Sequence, residues 1–373
     1  MKLLIDPQIF WWQNSGGVSR YIAEIYDNMS RQDGIEVSMP LLAHDNAYLQ
    51  DKGITSESKL FDYLAKVRFK GSDRLRRKLA FAHANKLLNV LKRQEHDLLV
   101  PSYYCPYFLK QVGAMPYVLT VHDMTHELYP KMLPGTDQVL YEKKKAIDQA
   151  THLIAISQST KQDLLRFYPS SEGKISVIYH GFTANSGNVE TDINLPDEYI
   201  LFVGKRMKYK NLKFLLLASQ GLLKSRTGLK LICAGSKPFD KEERASIEKL
   251  GLSGAVMHMA VNDHILAQLY QNAVCFVYPS LNEGFGFPVL EAMSCGCPTV
   301  LSRASSFPEV AGRAGLYYES MSELTAIMES LLKNEVDRAS IIQTGLEQTK
   351  QFSWQKCIDE TMALYLKVVS SAH

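Results

Sequence analysis

Two glutamates, Glu283 and Glu291, bracket a turn made of Gly284, Phe285, Gly286 and Phe287. An ionised carboxylate only accepts hydrogen bonds, so its natural partners are hydroxyl groups. A second cluster, Gly204-Lys205-Arg206 with Lys210, offers a fork-shaped guanidinium and mobile ammonium groups, both suited to phosphate. A third, His122-Asp123 with His126, contains a side chain that donates or accepts a proton near neutral pH. Cations for a diphosphate and carboxylates for sugar hydroxyls together describe a pocket for an activated sugar.

Each cluster needs an element to hold it. The apolar run Ala273 to Tyr278 (AVCFVY) is too short for a helix and reads as a buried strand. Pro288 suits the first turn of a helix, which Gly296 and Pro298 end, and Thr299 to Leu301 begin another strand. Strand, glycine turn, helix and strand place the turn at the C-terminal edge of a parallel sheet, where ligands of open α/β sheets bind. Amides at the helix start suit an anion there. Tyr199 to Val203 (YILFV) leads into Gly204 in the same way, and Tyr117 to Val121 leads into His122. At the start of the chain, Lys2 to Ile5 forms a strand, then Gly16 and Gly17 precede a helical pattern from Val18 to Met29. No G-x-G-x-x-G follows that strand, so a dinucleotide fingerprint is absent.

Further strands are read at His152–Ser157, Ile175–Tyr179, Lys230–Ala234 and Val256–Val261. Ser159 and Gln162 stand at capping-box spacing. Gly235-Ser236 and Val261-Asn262 lie where backbone groups could bind a base. The polar stretch 183–196 is the best linker in the chain. The β-α alternation on either side predicts parallel sheets with helices on both faces.

The segment EGFGFPVLE, 283–291, resembles the signature of retaining glycosyltransferases of family four. SGGVSRYI resembles that family's glycine-rich first loop, HDMTHELYP its acceptor-domain segment, and GKRMKYKNL its basic diphosphate turn. The resemblance spans most of the chain. It implies a GT-B fold: two Rossmann-like domains facing a central cleft, residues 1–185 binding acceptor and 186–352 binding the nucleotide sugar. A C-terminal helix, 353–373, would pack back on the first domain. In that scheme Gly16, Gly17 and Gly204 line the donor phosphates, and Arg206 and Lys210 stabilise the leaving group. Glu291 takes the ribose hydroxyls, Glu283 those of the transferred sugar, and His122 approaches that sugar. Gly284, Phe285, Gly286 and Phe287 complete the donor turn, and Asp123 and His126 face the acceptor. Relatives often carry arginine directly after the glycine. Here Lys205 stands there, which leaves the contact open between Lys205 and Arg206. Many members of the family are mannosyltransferases. The resemblance therefore points to mannose from GDP-mannose and to a lipid-linked or polysaccharide acceptor in surface polysaccharide assembly. The rival enzyme reading is a UDP-sugar donor, and the non-enzymatic one a nucleotide-sugar-binding partner subunit.

Composition narrows the field. Lysine and arginine number 42 against 39 acids, so no global field favours nucleic acid. An apolar share of 46 % fits sizeable globular cores. The N-terminus MKLLIDP turns polar too early for a secretory leader, and no apolar run is long enough to span a bilayer. The six cysteines read as reduced core residues of a cytoplasmic protein. Cys295 and Cys297 lack a second pair at metal-binding spacing, so no zinc site is read there, and with Arg and Lys to meet the phosphate charge no divalent ion or other cofactor is expected. Residues 66–93 interleave lysine and arginine with Val67, Leu75, Leu79, Leu87, Leu88 and Leu91. Such a stretch suits peripheral contact with an anionic membrane as well as it suits a solvated helix face.

Overall fold

A computed structural model describes residues 1–58, 72–184, 193–235 and 237–372, with the side chains of 72–77 left aside. The chain divides into two compact units. The first comprises Met1–Glu127, Gly135–Gly181 and Trp354–His373, and the second Leu128–Pro134 and Phe182–Ser353. The 185/186 boundary and the middle of the polar stretch, 185–192, lie outside the described residues, as do 66–71 of the basic stretch and Ser236.

In the first unit, β1 (Lys2–Asp6) sits between β2 (Glu36–Ser38) and β3 (Leu98–Pro101), all parallel. A second parallel sheet runs β4 (Val118–Val121), β5 (His152–Ala155), β6 (Ile175–Val177). A parallel bridge between Leu99 and Tyr117, with Leu99 N donating to Pro116 O at 3.1 Å, joins β3 to the start of β4. β3 and β4 are apolar at nearly every position and fully buried, as strands covered on both faces must be. Between β1 and β2, helix α1 (Gly17–Met29) buries Tyr21, Ile22, Ile25 and Met29 on one face, the spacing expected of an amphipathic helix.

The second unit holds one six-stranded parallel sheet, ordered β12-β11-β10-β7-β8-β9. These strands are β7 (Tyr199–Val203), β8 (Lys230–Ala234), β9 (Val256–Met259), β10 (Cys275–Tyr278), β11 (Thr299–Ser302) and β12 (Gly315–Tyr318). The chain starts at the centre, winds out to β9, and returns to β10 on the other side of β7. The strand order therefore reverses between β7 and β10, the switch point at which a crevice opens beyond the strands' C-terminal ends. Helix α2 (Leu212–Ser225) follows β7, and the short helix α3 (Phe287–Ser294) follows β10.

The last helix, α4 (Trp354–Ala372), belongs to the first unit. Its Cys357, Ile358, Leu364, Tyr365 and Val368 share a core with Ile22 and Ile25 of α1. Gly181 lies so close to Trp354 that a Cβ there would come within 2.4 Å of the Trp354 Cα. Two local readings are corrected. The helix Gln158–Phe167 is capped by Ser157, whose hydroxyl accepts from Thr160 N at 3.0 Å, and not by Ser159. The strand read at 256–261 ends at Met259, on the edge of its sheet. Of the basic stretch, Ser72–Leu91 is helical and buries Leu87 and Leu91. No helix of the described residues is long and apolar enough to cross a membrane.

Candidate active site

At the switch point of the second unit, the turns after β7 and β10 meet. Lys210 Nζ donates to Glu283 Oε1 at 2.5 Å and to the Tyr278 hydroxyl at 2.7 Å. Lys210 comes from a tight turn, Lys208–Lys210, that precedes α2, and Leu281 N donates to Tyr209 O at 2.8 Å to lash the two turns together. The side chains of Lys210 and Glu283 are 11 % and 12 % exposed, so the pair is shielded from water yet reachable by a ligand. An ammonium has three donors, and two are engaged here. The third can meet an anionic oxygen. Burial and the neighbouring Glu283 carboxylate raise the Tyr278 hydroxyl well above its usual pKa, which keeps it a neutral hydrogen-bonding group.

The glycine turn is held from behind. Ser305 Oγ accepts from Glu283 N at 2.9 Å and donates to Glu283 O at 2.5 Å. Ser306 Oγ reaches Glu283 O at 2.9 Å and Phe285 O at 3.0 Å. Gly286 adopts φ +94°, a left-handed conformation open mainly to glycine. A Cβ there would also stand 3.3 Å from the Phe307 ring. Gly204 has φ +118° and donates its N–H to Ala234 O at 2.9 Å, turning the chain out of β7. Phe285 is buried with its ring edge-on to Phe287, so both phenylalanines brace the turn from inside it.

Glu291 occupies the second turn of α3, and its Oε2 lies 3.5 Å from the Tyr270 hydroxyl. Arg206 departs from the expected arrangement. Its Nε donates to Glu243 Oε1 at 2.7 Å, its Nη2 donates to Lys237 O and Pro238 O at 2.7 and 2.9 Å, and its guanidinium lies over the Phe239 ring. The fork is thus committed to the segment after β8, and among the described residues only Nη1, beside Gly235, makes no such bond. A two-pronged grip on a diphosphate requires that commitment to loosen. Lys205 is exposed.

In the first unit, His122 follows β4 and is 5 % exposed. Its backbone N donates to the Tyr104 hydroxyl at 2.8 Å. Its ring lies edge-on to Tyr21 at 5.6 Å and stacks near His180 at 5.7 Å. Nδ1 is buried without a hydrogen-bond partner among the described residues. Burial pushes the imidazole down to about 4, against a smaller upward pull from Asp123, so His122 is neutral at neutral pH. Asp123 and His126 serve the local framework: Asp123 Oδ1 accepts from Thr125 N at 2.8 Å, and His126 Nδ1 pairs with Thr136 Oγ1 at 3.1 Å. Gly16 and Gly17 open α1, where Gln13 Oε1 accepts from Ser19 N at 3.2 Å. That amide oxygen occupies one donor at the helix start.

Sequence reasoning passed over Tyr278, Ser305, Ser306 and His180. It also passed over Asp6, a buried carboxyl at the end of β1 that takes hydrogen bonds from Gln8 and Tyr107 and that burial raises to about 6. Tyr278 closed an apolar run and read as core. The serines lie on the next strand's loop, and only their position beside the Glu283 turn would have marked them. Cys295 and Cys297 are free thiols, and no group of three or more metal-ligating side chains occurs among the described residues.

Two family models cover most of the chain: "Glycosyltransferase Family 4" over residues 15–185 and "Glycosyl transferases group 1" over 188–348. The O-antigen chain mannosyltransferase B of Escherichia coli is 31 % identical over 283 residues, covering 71 % of this chain and 72 % of that protein. This chain belongs to glycosyltransferase family four. The transferase is also 28 % identical over 219 residues to the O-antigen chain mannosyltransferase RfbU of Salmonella typhimurium, covering 58 % of this chain and 60 % of that one. Among solved structures, sucrose-phosphate synthase from Thermosynechococcus elongatus superposes with a TM-score of 0.72 at 18 % identity, covering 99 % of both chains. HepE from Anabaena, solved with UDP and glucose, gives 0.69 at 20 % identity, covering 97 % of this chain and 98 % of that one. These likenesses establish the GT-B fold. The Lys210–Glu283 cluster therefore sits in the second Rossmann-like unit of a GT-B glycosyltransferase.

Proposed function

We propose that this transferase moves mannose from GDP-mannose to a sugar hydroxyl of a lipid-linked or polysaccharide acceptor, with retention of anomeric configuration, in the assembly of a surface polysaccharide. The observation that carries the reading is the buried Lys210–Glu283–Tyr278 cluster at the switch point of the second unit. It presents a cation for phosphate and a carboxylate for hydroxyls within one hydrogen-bonded group. Glu283 accepts from hydroxyls of the transferred sugar, and Glu291 from those of the ribose. Lys210, Lys205 and the free nitrogen of Arg206 meet charge that develops on the departing diphosphate. Gly16, Gly17, Gly204, Gly284 and Gly286 keep the donor-facing turns free of side chains. His122, neutral and with an unpaired ring nitrogen, exchanges a hydrogen bond with the transferred sugar. Asp123 and His126 shape the acceptor side through the hydrogen bonds they already make.

Glu283 and Glu291 belong to one turn and the helix it opens, and not to opposite sides of a scissile bond as in a retaining glycosidase. We assign neither as a covalent nucleophile. Charge on the diphosphate is met by Lys and Arg, so turnover needs no divalent ion. The mannose assignment draws on the relatives named mannosyltransferases. The helix 72–91, the described part of the basic stretch, would rest against the anionic inner face of the cytoplasmic membrane.

A second donor, a UDP-sugar, is favoured by the solved neighbours containing UDP or UDP-glucose. Thermal-shift titration with GDP, UDP, ADP and dTDP separates the two. A nucleotide present at about 100 times its Kd stabilises the fold by about 2.7 kcal/mol. Stabilisation by GDP alone, followed by mannose transfer from GDP-mannose, supports the first reading, and a response to UDP alone overturns it. Hydrolysis of the donor by the isolated chain excludes a non-catalytic partner subunit.

A further inference from the structure

The segment that leaves β1 carries three aromatic residues in a row, Phe10, Trp11 and Trp12. Phe10 is buried, but Trp12 is 65 % exposed. An indole held in solvent forfeits the burial that large aromatics ordinarily gain on folding. Trp12 borders a recess of about 500 Å³, counting the open space at its mouth, whose lining includes Trp11, Asn14, Asp45, Leu79 and His83. The recess belongs wholly to the first unit and opens beyond the C-terminal ends of β1 and β2. Trp11 forms one wall, its ring 5.3 Å from that of His83 and 5.9 Å from that of Tyr107. Its indole Nε1 is buried without a hydrogen-bond partner among the described residues. Asn14 Nδ2 donates to Asp45 Oδ2 at 2.6 Å, which fixes the carboxylate and leaves its other oxygen able to accept.

We propose that this recess is a subsite for one pyranose ring of the acceptor glycan. Trp12 stacks on the apolar C–H face of the ring, while Asp45 and the Asn14 carbonyl accept from its hydroxyls. The lining chemistry selects a sugar. An alkyl chain would gain from the indoles but would strip water from a carboxylate it cannot pair. A phosphate would meet that carboxylate's repulsion. A pyranose has both an apolar face and a belt of donors, and sites of this kind combine an aromatic wall with few polar groups. The proposal rests on the reading of the chain as a transferase acting on a glycan acceptor. It adds that an acceptor sugar is held at Trp12, on residues other than His122 and the Lys210–Glu283 cluster.

The test uses the full chain without donor. Methyl α-D-mannopyranoside, methyl α-D-glucopyranoside and an α-linked mannotriose are titrated by saturation-transfer NMR and by tryptophan fluorescence, in which Trp11 and Trp12 are two of three emitters. Saturable binding of one of these sugars is expected, weakened about tenfold in Trp12→Ala and measurably in Asp45→Ala. The thermal shift produced by the preferred nucleotide should stay unchanged in both variants. Because Trp12 is largely exposed, its replacement leaves the core intact, and the melting temperature verifies this. Three outcomes overturn the proposal: no sugar binding at tens of millimolar, binding indifferent to Trp12→Ala, or 1-octanol occupying the recess where sugars do not. If sugar binding depends on Trp12 but no nucleotide sugar is turned over, the proposed activity fails and the subsite stands.

Discussion

The Lys210–Glu283 contact makes a quantitative demand on the second unit. At 2.5 Å separation, an effective dielectric of about 20 gives an attraction of about 7 kcal/mol. Desolvation of both ions cancels much of it. What survives is revealed by removing one partner. Lys210→Met leaves Glu283 in a shielded site with the Tyr278 hydroxyl and no cation, and Glu283→Gln leaves the ammonium without its anion. Breaking a buried pair costs about 3–5 kcal/mol, and residual exposure of both side chains places each variant near the lower end. For a unit of this size that lowers the thermal midpoint by about 6–12 °C. The double variant should fall well short of the sum, with a coupling of about 1–3 kcal/mol. Both single variants should also lose about 100-fold or more in kcat, the loss expected when one stabiliser of developing charge is removed. Chemical denaturation followed by a probe in the second unit measures the first quantity, and donor hydrolysis the second. Additive stability losses, with coupling under about 0.5 kcal/mol, would refute the pairing. Full activity in either single variant would refute its place in catalysis.

His122 titrates near 4 because it is buried, so the acid limb of kcat/KM that depends on it should lie near pH 4. A limb near pH 6.5 that moves in His122→Gln would contradict its buried, neutral state. The same depressed value means that the unfolded chain takes up a proton on His122 between about pH 6.5 and 4 while the folded chain does not. Its contribution is therefore to destabilise the fold as pH falls through that window, and His122→Phe should flatten this part of the stability profile. Gly286→Ala forces a side chain into a left-handed turn against Phe307, at a cost of about 1–2 kcal/mol, and should raise the donor KM more than it lowers the melting temperature. Turnover should persist in EDTA after extensive dialysis, and complete loss restored by Mg²⁺ or Mn²⁺ would reject charge neutralisation by Lys and Arg alone.

Much of the scaffold was legible because parallel strands covered on both faces leave an unambiguous mark. YILFV and CFVY are apolar at every position, and all nine residues are buried. Glycines where those runs stop announced the turns, and the glutamates around Gly284 and Gly286 announced a ligand-facing loop. What stayed hidden was pairing. Glu283 and Lys210 are 73 residues apart and Arg206 and Glu243 are 37 apart, and nothing local in either sequence tells a cation which acid it will meet. Arg206 read as a phosphate ligand from its place in the turn after β7 and from the resemblance, and nothing there marked Glu243, the acid after β8 with which it pairs. The helix cap moved from Ser159 to Ser157 because β5 ends early enough for the first hydroxyl to reach the Thr160 amide. Edge strands such as β9 lack a second neighbour, so their pairing stops before their apolar pattern does.

The approach of Gly181 to Trp354, together with the 2.8 Å bond from Phe182 N to Phe352 O, means that the polypeptide leaves one body and re-enters it at neighbouring points. Residues 182–353 are thus a cassette whose two ends meet, the arrangement in which one domain is inserted into another and in which excision is tolerated. Expressed alone, with the strand-free segment 128–134 supplied as a peptide, the cassette would carry the Lys210–Glu283 cluster intact. A short tether between 181 and 354 would let the remaining body close its own core around α1 and α4.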